Sequence, residues 1–357
     1  MLRSVSLHDN LAPAGRNIEP FEHQTADMSI IIIAYNGPES LRETLESVLI
    51  QTVHPKEIVI IDNNPNQKIE ETAIFLRDQF QRKSMKLIYV RNPRGKSLTV
   101  ARNVGIDCSI GRIVLFLDDD VVLDKEYLSE ILRVHEMFPN AKGVQGFWKL
   151  NTATTTLRFR LMNSFNRIFF LLSYDEDNCN VLPSYGHTYP HTLTRIINCQ
   201  YLSGCNQSYN RSVFAELRFD EKLKRYSFGE DLDFSYRIYK KYPHDLLMTP
   251  YARLIHKAST ATKSPSIRSV YMKVVYSYYF FYKNIEQSNR NKLIFSWSRV
   301  GELLAQLSPF SLQPVNKRKK FPLSGIGYFI RAQILCLRHE KEIREGDLKF
   351  VDNYIDD

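Results

Sequence analysis

The sequence predicts an α/β protein with a mostly parallel central sheet, helices on both of its faces and a helical C-terminal extension. Three observations predict it. Between residues 28 and 138, short apolar runs rich in Ile, Val and Leu alternate with stretches whose apolar residues recur at helical spacing, which is the pattern of βαβ units. The runs are apolar at every position, as strands are when helices cover both faces of a sheet. Each run ends on polar residues: Tyr35-Asn36, Asp62-Asn63, Arg91-Asn92 and Asp118-Asp119-Asp120. In open parallel sheets the ligand crevice lies outside these carboxyl ends.

The elements follow in order. Residues 1–27 mix Pro, Gly, Asn, His and charge without period and read as a loose tail. Ser29 to Ile33 is a buried strand that stops at Ala34-Tyr35-Asn36-Gly37. Pro38 opens a helix at a position where its missing N–H costs nothing, and Leu41, Leu45, Val48 and Leu49 mark its apolar face. Glu57 to Ile61 is a second strand, followed by a helix carrying Ile69, Ala73, Leu76 and Phe80 on one side. Lys86 to Val90 is a third strand, and a helix runs from about Ser97 to Asp107. Arg112 to Leu117 is a fourth strand, with a helix from about Asp124 to Phe138. Gly143 to Trp148 is another strand.

Beyond it, residues 151–194 are rich in Thr, Asn, Tyr and His without clear period, and read as a long excursion over the site. One or two strands follow between Ile196 and Tyr209, then a short helix from Arg211 to Leu217. A helix opens after Gly229, and a strand from Leu246 to Ile255 ends on His256. From Ser264 the chain reads as helical, with Tyr271, Tyr276, Tyr278, Tyr279 and Tyr282 among Lys and Arg and a basic cluster at Lys317-Arg318-Lys319-Lys320. Two readings of this last region stay open: an interfacial helix on anionic lipid, or a packed helix with a solvated loop. The predicted domains are a tail at 1–27, a catalytic domain at 28–263 divided into a nucleotide-binding half (28–142) and an acceptor half (143–263), and a helical region at 264–357.

The chain has 357 residues, 43% hydrophobic and 24% charged, enough for one large core or two modest domains. Its net charge of +9 suits an anionic ligand, a nucleic acid or an anionic membrane surface and does not choose among them. The five Cys are scattered and without CxxC spacing, which points to a reducing, cytoplasmic setting and no zinc site. No run of 18 apolar residues predicts a membrane-spanning helix. Arg94-Gly95-Lys96-Ser97 ends like a phosphate loop, but Val90 stands where that loop needs Gly. No GxGxxG follows the first strand, which argues against a dinucleotide-binding Rossmann domain.

Two acidic groups carry the chemistry. Asp118, Asp119 and Asp120 repel one another and need a compensating cation or donors. Because successive strand residues point to opposite faces, Asp118 and Asp120 turn to one side and Asp119 to the other. Two carboxylates converging at a strand end suit a hard divalent ion, Mn²⁺ or Mg²⁺. The plainer reading is a strand end whose acids cap the next helix. The second group is Gly229-Glu230-Asp231-Leu232-Asp233 with Arg237. Capping of a helix N-terminus explains one or two of its acids. Asp233 and Arg237 are spaced to pair, which leaves Glu230 and Asp231 free at the mouth. His256 closes a strand 25 residues beyond Asp231, and a neutral imidazole can ligate Mn²⁺.

With these residues quoted, the chain resembles a family 2 glycosyltransferase of the GT-A fold over residues 28 to 260. Ser29 to Asn36 is similar to the family's opening strand and its Ala-Tyr-Asn turn. Ile60-Ile61-Asp62-Asn63 resembles the second strand, and Ala101-Arg102-Asn103-Val104-Gly105 the helix under the diphosphate. Phe116 to Asp120 resembles the Asp-x-Asp metal motif, Ser203-Gly204-Cys205-Asn206 the Gly-x-Asn segment, and Gly229-Glu230-Asp231 with Arg237 the Glu-Asp motif.

The resemblance implies an inverting, non-processive transfer of a sugar from a nucleotide-diphosphate sugar to a hydroxyl of a glycan or glycolipid. The expected partners are that nucleotide-sugar and a hydroxyl acceptor, with no nucleic acid. It implies Asp231 as catalytic base. It places Ala34, Tyr35, Asn36, Asp62, Arg94, Arg102, Asp118 and Asp119 at the nucleotide, and Asp120 with His256 at the metal. Gly204, Asn206 and Glu230 fall on the sugar and acceptor side. Asn63-Asn64-Pro65 stands where the family often has a second Asp, and the Gln/Arg-x-x-Arg-Trp signature of processive synthases is absent. The rival readings are a sugar-1-phosphate nucleotidyltransferase, which would want a Gly-rich, Arg-containing loop after the first strand, and a non-catalytic nucleotide-sugar-binding protein.

Overall fold

The structure, a computed structural model, describes residues 25–35, 37–64, 68–148, 156–226, 228–257, 267–307 and 323–355. The tail at 1–24, Asn36 and the basic cluster 317–320 lie outside the described residues.

The first half runs as β1 (Thr25–Ala34), α1 (Pro38–Leu49), β2 (His54–Asp62), α2 (Ile69–Arg82), β3 (Lys86–Arg91), α3 (Leu98–Cys108), β4 (Ile113–Asp118), β5 (Val121–Leu123), α4 (Tyr127–Met137) and β6 (Gly143–Trp148). It continues with α5 (Leu157–Ile168), β7 (Ser173–Asp175), β8 (Thr188–Pro190), β9 (Ile197–Asn198), β10 (Gln207–Asn210), α6 (Glu230–Lys241) and β11 (Leu246–His256). The C-terminal helices are α7 (Ile267–Asn284), α8 (Asn289–Leu307), α9 (Leu323–Arg338), α10 (Glu340–Glu345) and α11 (Asp352–Ile355).

Eight strands follow the order β3-β2-β1-β4-β10-β6-β11-β5, with β9 paired to β11. β1 lies between β2 and β4 and is parallel to both, so the sheet grows first to one side and then to the other. That switch point is where a crevice opens in such sheets. Register levels the strand ends: Ala34 sits beside Asp62, Ile33 beside Asp118, and Asp62 beside Arg91. β10 is antiparallel to both β4 and β6, while β6 and β11 are parallel. The ends of β6 and β11, at Trp148 and His256, therefore reach the same edge as Asp118.

The uniformly apolar strands have a direct cause. Ile30, Ile32, Ile58, Ile60, Leu115 and Leu117 face a core built with α1, α2 and α4. Their alternates Ile31, Ile33, Val59, Ile61, Val114 and Phe116 face a second core, which takes in α3, α6 and α7. Both faces are covered, which is why these strand positions are apolar on either side.

The structure departs from the sequence reading in four places. β1 begins at Thr25, inside the expected tail, rather than at Ser29. The three-residue β5, too short to show a period, pairs antiparallel with β11. The excursion at 151–194 contains a helix, α5, opened by the Thr156 side chain accepting from the Phe159 N–H at 3.2 Å. Only Met162 of that helix is buried, so it shows no inward apolar stripe to read. Finally, the aromatic helix α7 is packed: Tyr271, Tyr276, Tyr278, Tyr279, Phe280 and Phe281 are all buried. Its composition reflects the core, which settles the two readings of that helix for packing.

Candidate active site

The first cluster forms where β4 turns into β5. Lys257 at the end of β11 donates its N–H to the Asp120 carbonyl at 2.9 Å, and β5 pairs Val121 with His256. These contacts bring His256 Nε2 to 3.1 Å from Asp120 Oδ1 and 3.7 Å from Asp118 Oδ2. One ligand atom from each of the three residues lies within 4.8 Å of the others. Two hard carboxylates and one imidazole are a fitting donor set for Mn²⁺ and an acceptable one for Mg²⁺. Burial works to lower the His256 pKa, but the Asp120 hydrogen bond and the charges of Asp118 and Asp120 outweigh it, and the net shift is upward. Asp118 keeps about a third of its side chain open to the crevice, whereas Asp120 lies beneath it, buried.

Asp119 does not share this site. It is 1% exposed, and its Oδ2 accepts the Tyr35 N–H at 2.6 Å. The side chain expected at the nucleotide instead holds the end of β1, reaching it from the two-residue turn between β4 and β5.

The nucleotide side is built from the ends of β1 and β2. Asp62 is buried and accepts the Tyr89 hydroxyl at 2.8 Å and the Asn64 N–H at 2.9 Å. The Asn63 N–H donates to the Ala34 carbonyl at 3.0 Å, and Asn64 Nδ2 to the Tyr35 carbonyl at 3.0 Å. The Tyr35 ring is exposed and lies 6.4 Å from the exposed ring of Tyr226. Ala34 is fully buried and contributes only backbone. Arg94, expected at the phosphates, makes two hydrogen bonds to Glu221 at 2.8 and 3.0 Å. Its guanidinium is committed to that carboxylate at the surface.

The second cluster sits at the N-terminus of α6. Gly229 enters the helix at φ 76°, and a Cβ there would fall 2.0 Å from the Tyr185 hydroxyl, which donates to the Phe228 carbonyl at 2.8 Å. Only glycine fits this turn. Asp231 Oδ2 accepts the Gly204 N–H and its Oδ1 accepts the Leu232 N–H, both at 2.8 Å. The carboxylate is half-buried and pinned in orientation, so it is not the unattached group the sequence suggested.

Glu230 departs further from that reading. It is buried and lies 3.0 Å from Arg102 Nη1 of α3. Burial pushes its carboxyl up to about 8, against the pull of Arg102. Arg102 is 2% exposed, donates to the Gly204 carbonyl at 3.3 Å, and lies over the Phe219 and Phe116 rings at 5.1 and 5.9 Å. A side chain at Gly204 would strike Arg102 at 2.8 Å and Asp231 at 3.2 Å. Asp233 pairs with Arg237 at 2.9 Å as expected.

Asn206, expected at the sugar, is fully buried and donates Nδ2 to the Gly146 carbonyl at 3.0 Å. It fastens the 203–206 loop to β6 and does not face the crevice.

Two residues at this edge were missed. Trp148, 6.2 Å edge-on from His256, ends β6, and the strand-end rule that found Asp118 would also have found it. Tyr226 lies four residues before Glu230, and its place beside the acidic motif was the available signal. The five Cys are all free thiols. No described helix is long and apolar enough to cross a membrane.

The comparisons agree with this architecture. The minor teichoic acid biosynthesis protein GgaB of Bacillus subtilis (strain 168) is 24% identical over 57% of this chain and 20% of its own length. The structure of S. aureus TarS 1–349 in complex with UDP-GlcNAc superposes with TM-score 0.53 at 16% identity, covering 92% of this chain and 89% of that one. The structure of GalNAc-T7 with UDP, GalNAc and Mn²⁺ superposes with TM-score 0.50 at 17% identity, covering 77% of this chain and 54% of that one. At such identities the structural likeness concerns the fold. The matching part of this chain spans 17 to 37% of the length of the curated relatives it matches. The family model described as Glycosyl transferase family 2 matches residues 29–218, more than half of the sequence, and the chain belongs to that family.

Proposed function

We propose that this protein transfers a sugar, with inversion and one or a few residues at a time, from a nucleotide-diphosphate sugar to a hydroxyl of a glycan or glycolipid. The observation that carries the reading is the pairing, at one sheet edge, of a metal-shaped trio (Asp118, Asp120, His256) with a separately held carboxylate, Asp231. Asp118, Asp120 and His256 would hold Mn²⁺ or Mg²⁺. Such an ion, when bound, supplies positive charge against a leaving diphosphate.

The remaining roles belong to the chain. Tyr35 and Tyr226 offer exposed rings for the base, and Asp62, set by Tyr89, faces its edge. Asp231, oriented by two backbone N–H groups, accepts the proton of the attacking hydroxyl. Direct displacement by that hydroxyl inverts the anomeric centre. Arg102 holds Gly204 and Glu230 beneath the sugar. The printed names of the neighbours, with UDP-GlcNAc in one and UDP with Mn²⁺ in the other, support a UDP-sugar as the first donor to try. Peripheral contact with an anionic membrane, on its cytoplasmic face, completes the proposal.

The test is a thermal-shift panel of UDP, GDP and dTDP sugars with and without Mn²⁺, followed by transfer to an acceptor pool and determination of the product's anomeric configuration. One nucleotide should stabilise the fold by about 2.7 kcal/mol at a hundredfold excess over Kd, and only with metal. Equal stabilisation in EDTA would remove the metal from the reading, and a retained configuration would remove inversion.

A further inference from the structure

We propose that α5, α8 and α9 form the surface by which the protein docks on an anionic bilayer. This deepens the membrane contact proposed above and rests on it, but it places that contact away from the buried α7.

The observation is a set of apolar stripes turned to solvent. On α8, Leu293, Trp297, Val300 and Leu304 are all exposed, at the i, i+4, i+7 and i+11 spacing of a single helix face. On α5, Leu157, Leu161 and Ile168 are exposed at the same spacing. α9, which packs against α8, exposes Ile330, Ile334 and Leu337. The stripes on α5 and α8 adjoin: Trp297 Nε1 donates to the Ile168 carbonyl at 2.9 Å, and its ring stacks on Phe169 at 4.8 Å. Ten of the 21 large apolar side chains exposed among the described residues fall on these three helices.

Charge selects the occupant. The three helices hold eight Lys or Arg and one acid, Glu302. Arg299 is buried and paired with Glu302, and Arg167 pairs with Asp175. The other six cations, Arg158, Arg160, Arg290, Lys292, Arg331 and Arg338, are exposed. Apolar stripes flanked by cations match an anionic interface, where side chains enter the acyl boundary and basic residues meet headgroups. A second copy of this chain would bring the same positive charge to the contact and be repelled by it.

The surface also lies at the acceptor side. Immediately after α5, the Phe170 carbonyl accepts the Ser184 hydroxyl, and the next residue, Tyr185, holds the turn that precedes Glu230 and Asp231. A lipid-borne hydroxyl would therefore approach from the docked face.

The experiment compares the full chain with the double variant Leu161→Glu/Leu293→Glu, both at exposed positions, in co-sedimentation with phosphatidylglycerol–phosphatidylcholine vesicles and with pure phosphatidylcholine. The parent should pellet with the anionic vesicles, lose binding as salt rises, and shift its Trp297 emission to the blue. The variant should bind at least about tenfold more weakly, from the apolar area and charge it changes. Nucleotide binding, read in the same samples by thermal shift, should be unchanged in the variant, which separates failure of docking from failure of the donor reading. Three outcomes overturn the proposal. They are a parent that stays in the supernatant with both vesicles, a variant that pellets like the parent, and a parent dimer in sedimentation equilibrium that the variant abolishes.

Discussion

The two acidic clusters of this crevice contain the same side-chain types and behave as opposites. At α6, Glu230 has a permanent cation, Arg102, at 3.0 Å, and Asp231 has two backbone N–H donors. At the end of β4, Asp118 and Asp120 converge on His256, whose charge depends on pH, and burial outweighs the pull of the Arg102 charge on Asp118. Guanidinium is always charged, so an acid paired with it is held in place and needs nothing from outside. Imidazole is not, so the β4 cluster is left with a site shaped for an ion. The difference teaches that the compensating partner, and not the acids themselves, distinguishes a positioned carboxylate from a ligand set.

The strongest way to break the comparison is at Asp231. Asn keeps the size of Asp231 but offers one acceptor oxygen to the two N–H groups it holds, so Asp231→Asn should cost about 1–3 kcal/mol of stability and leave donor binding near the parent's. Transfer to a competent acceptor should fall by a factor on the order of 10² to 10⁴, read as initial rate with saturating donor. Transfer near the parent rate would shift the base to Glu230.

Arg102→Met tests the permanent cation. It removes the partner of a buried acid, and at pH 9, where Glu230 is ionised, the expected loss of unfolding free energy in urea is about 3–5 kcal/mol. The Glu230 carboxyl titrates in the folded protein well above its ordinary value of 4.5, at about 8. Burial favours its protonated form, so its contribution to stability is complete below pH 4.5 and is lost as pH climbs through about 8. Arg102 opposes that loss. The cost of Arg102→Met should therefore be larger at pH 9 than at pH 6. A loss independent of pH would mean that the pair is not what Arg102 stabilises.

The third variant sharpens the other side. Asp120→Asn removes one ligand of the β4 cluster. Mn²⁺-dependent binding of a nucleoside diphosphate should vanish in calorimetry, and turnover should fall by about 10²- to 10³-fold, the usual scale for one group that stabilises developing charge. Undiminished metal-dependent binding would end the metal assignment.

What was legible at this site follows from periodicity. Strand alternation predicts Asp118 and Asp120 on one side and Asp119 on the other. The structure has that facing, with Asp119 turned to Tyr35, but Asp119 and Asp120 reach it from the turn after β4. His256 could be placed because it ends a strand. Arg102 with Glu230 could not be paired from the sequence, since 128 positions separate them and nothing local relates α3 to α6. Asn206 was misread because an Asn in a loop looks the same whether it faces a ligand or ties the loop to β6. The aromatic α7 looked interfacial because Tyr and Phe among Lys suit both a lipid surface and a packed core.

The sequence by itself determined the βαβ order, the double-sided burial of the strands, the crevice at their carboxyl ends and the acids gathered there. All of these depend on short-range patterns of apolar and polar residues, which backbone geometry converts directly into faces and ends. Tertiary structure decided which acid meets a fixed cation, which aromatic helix is covered and which apolar stripes stay in solvent. Those outcomes depend on what packs against each side chain, and packing partners distant in sequence are chosen only when the whole chain closes on its cores.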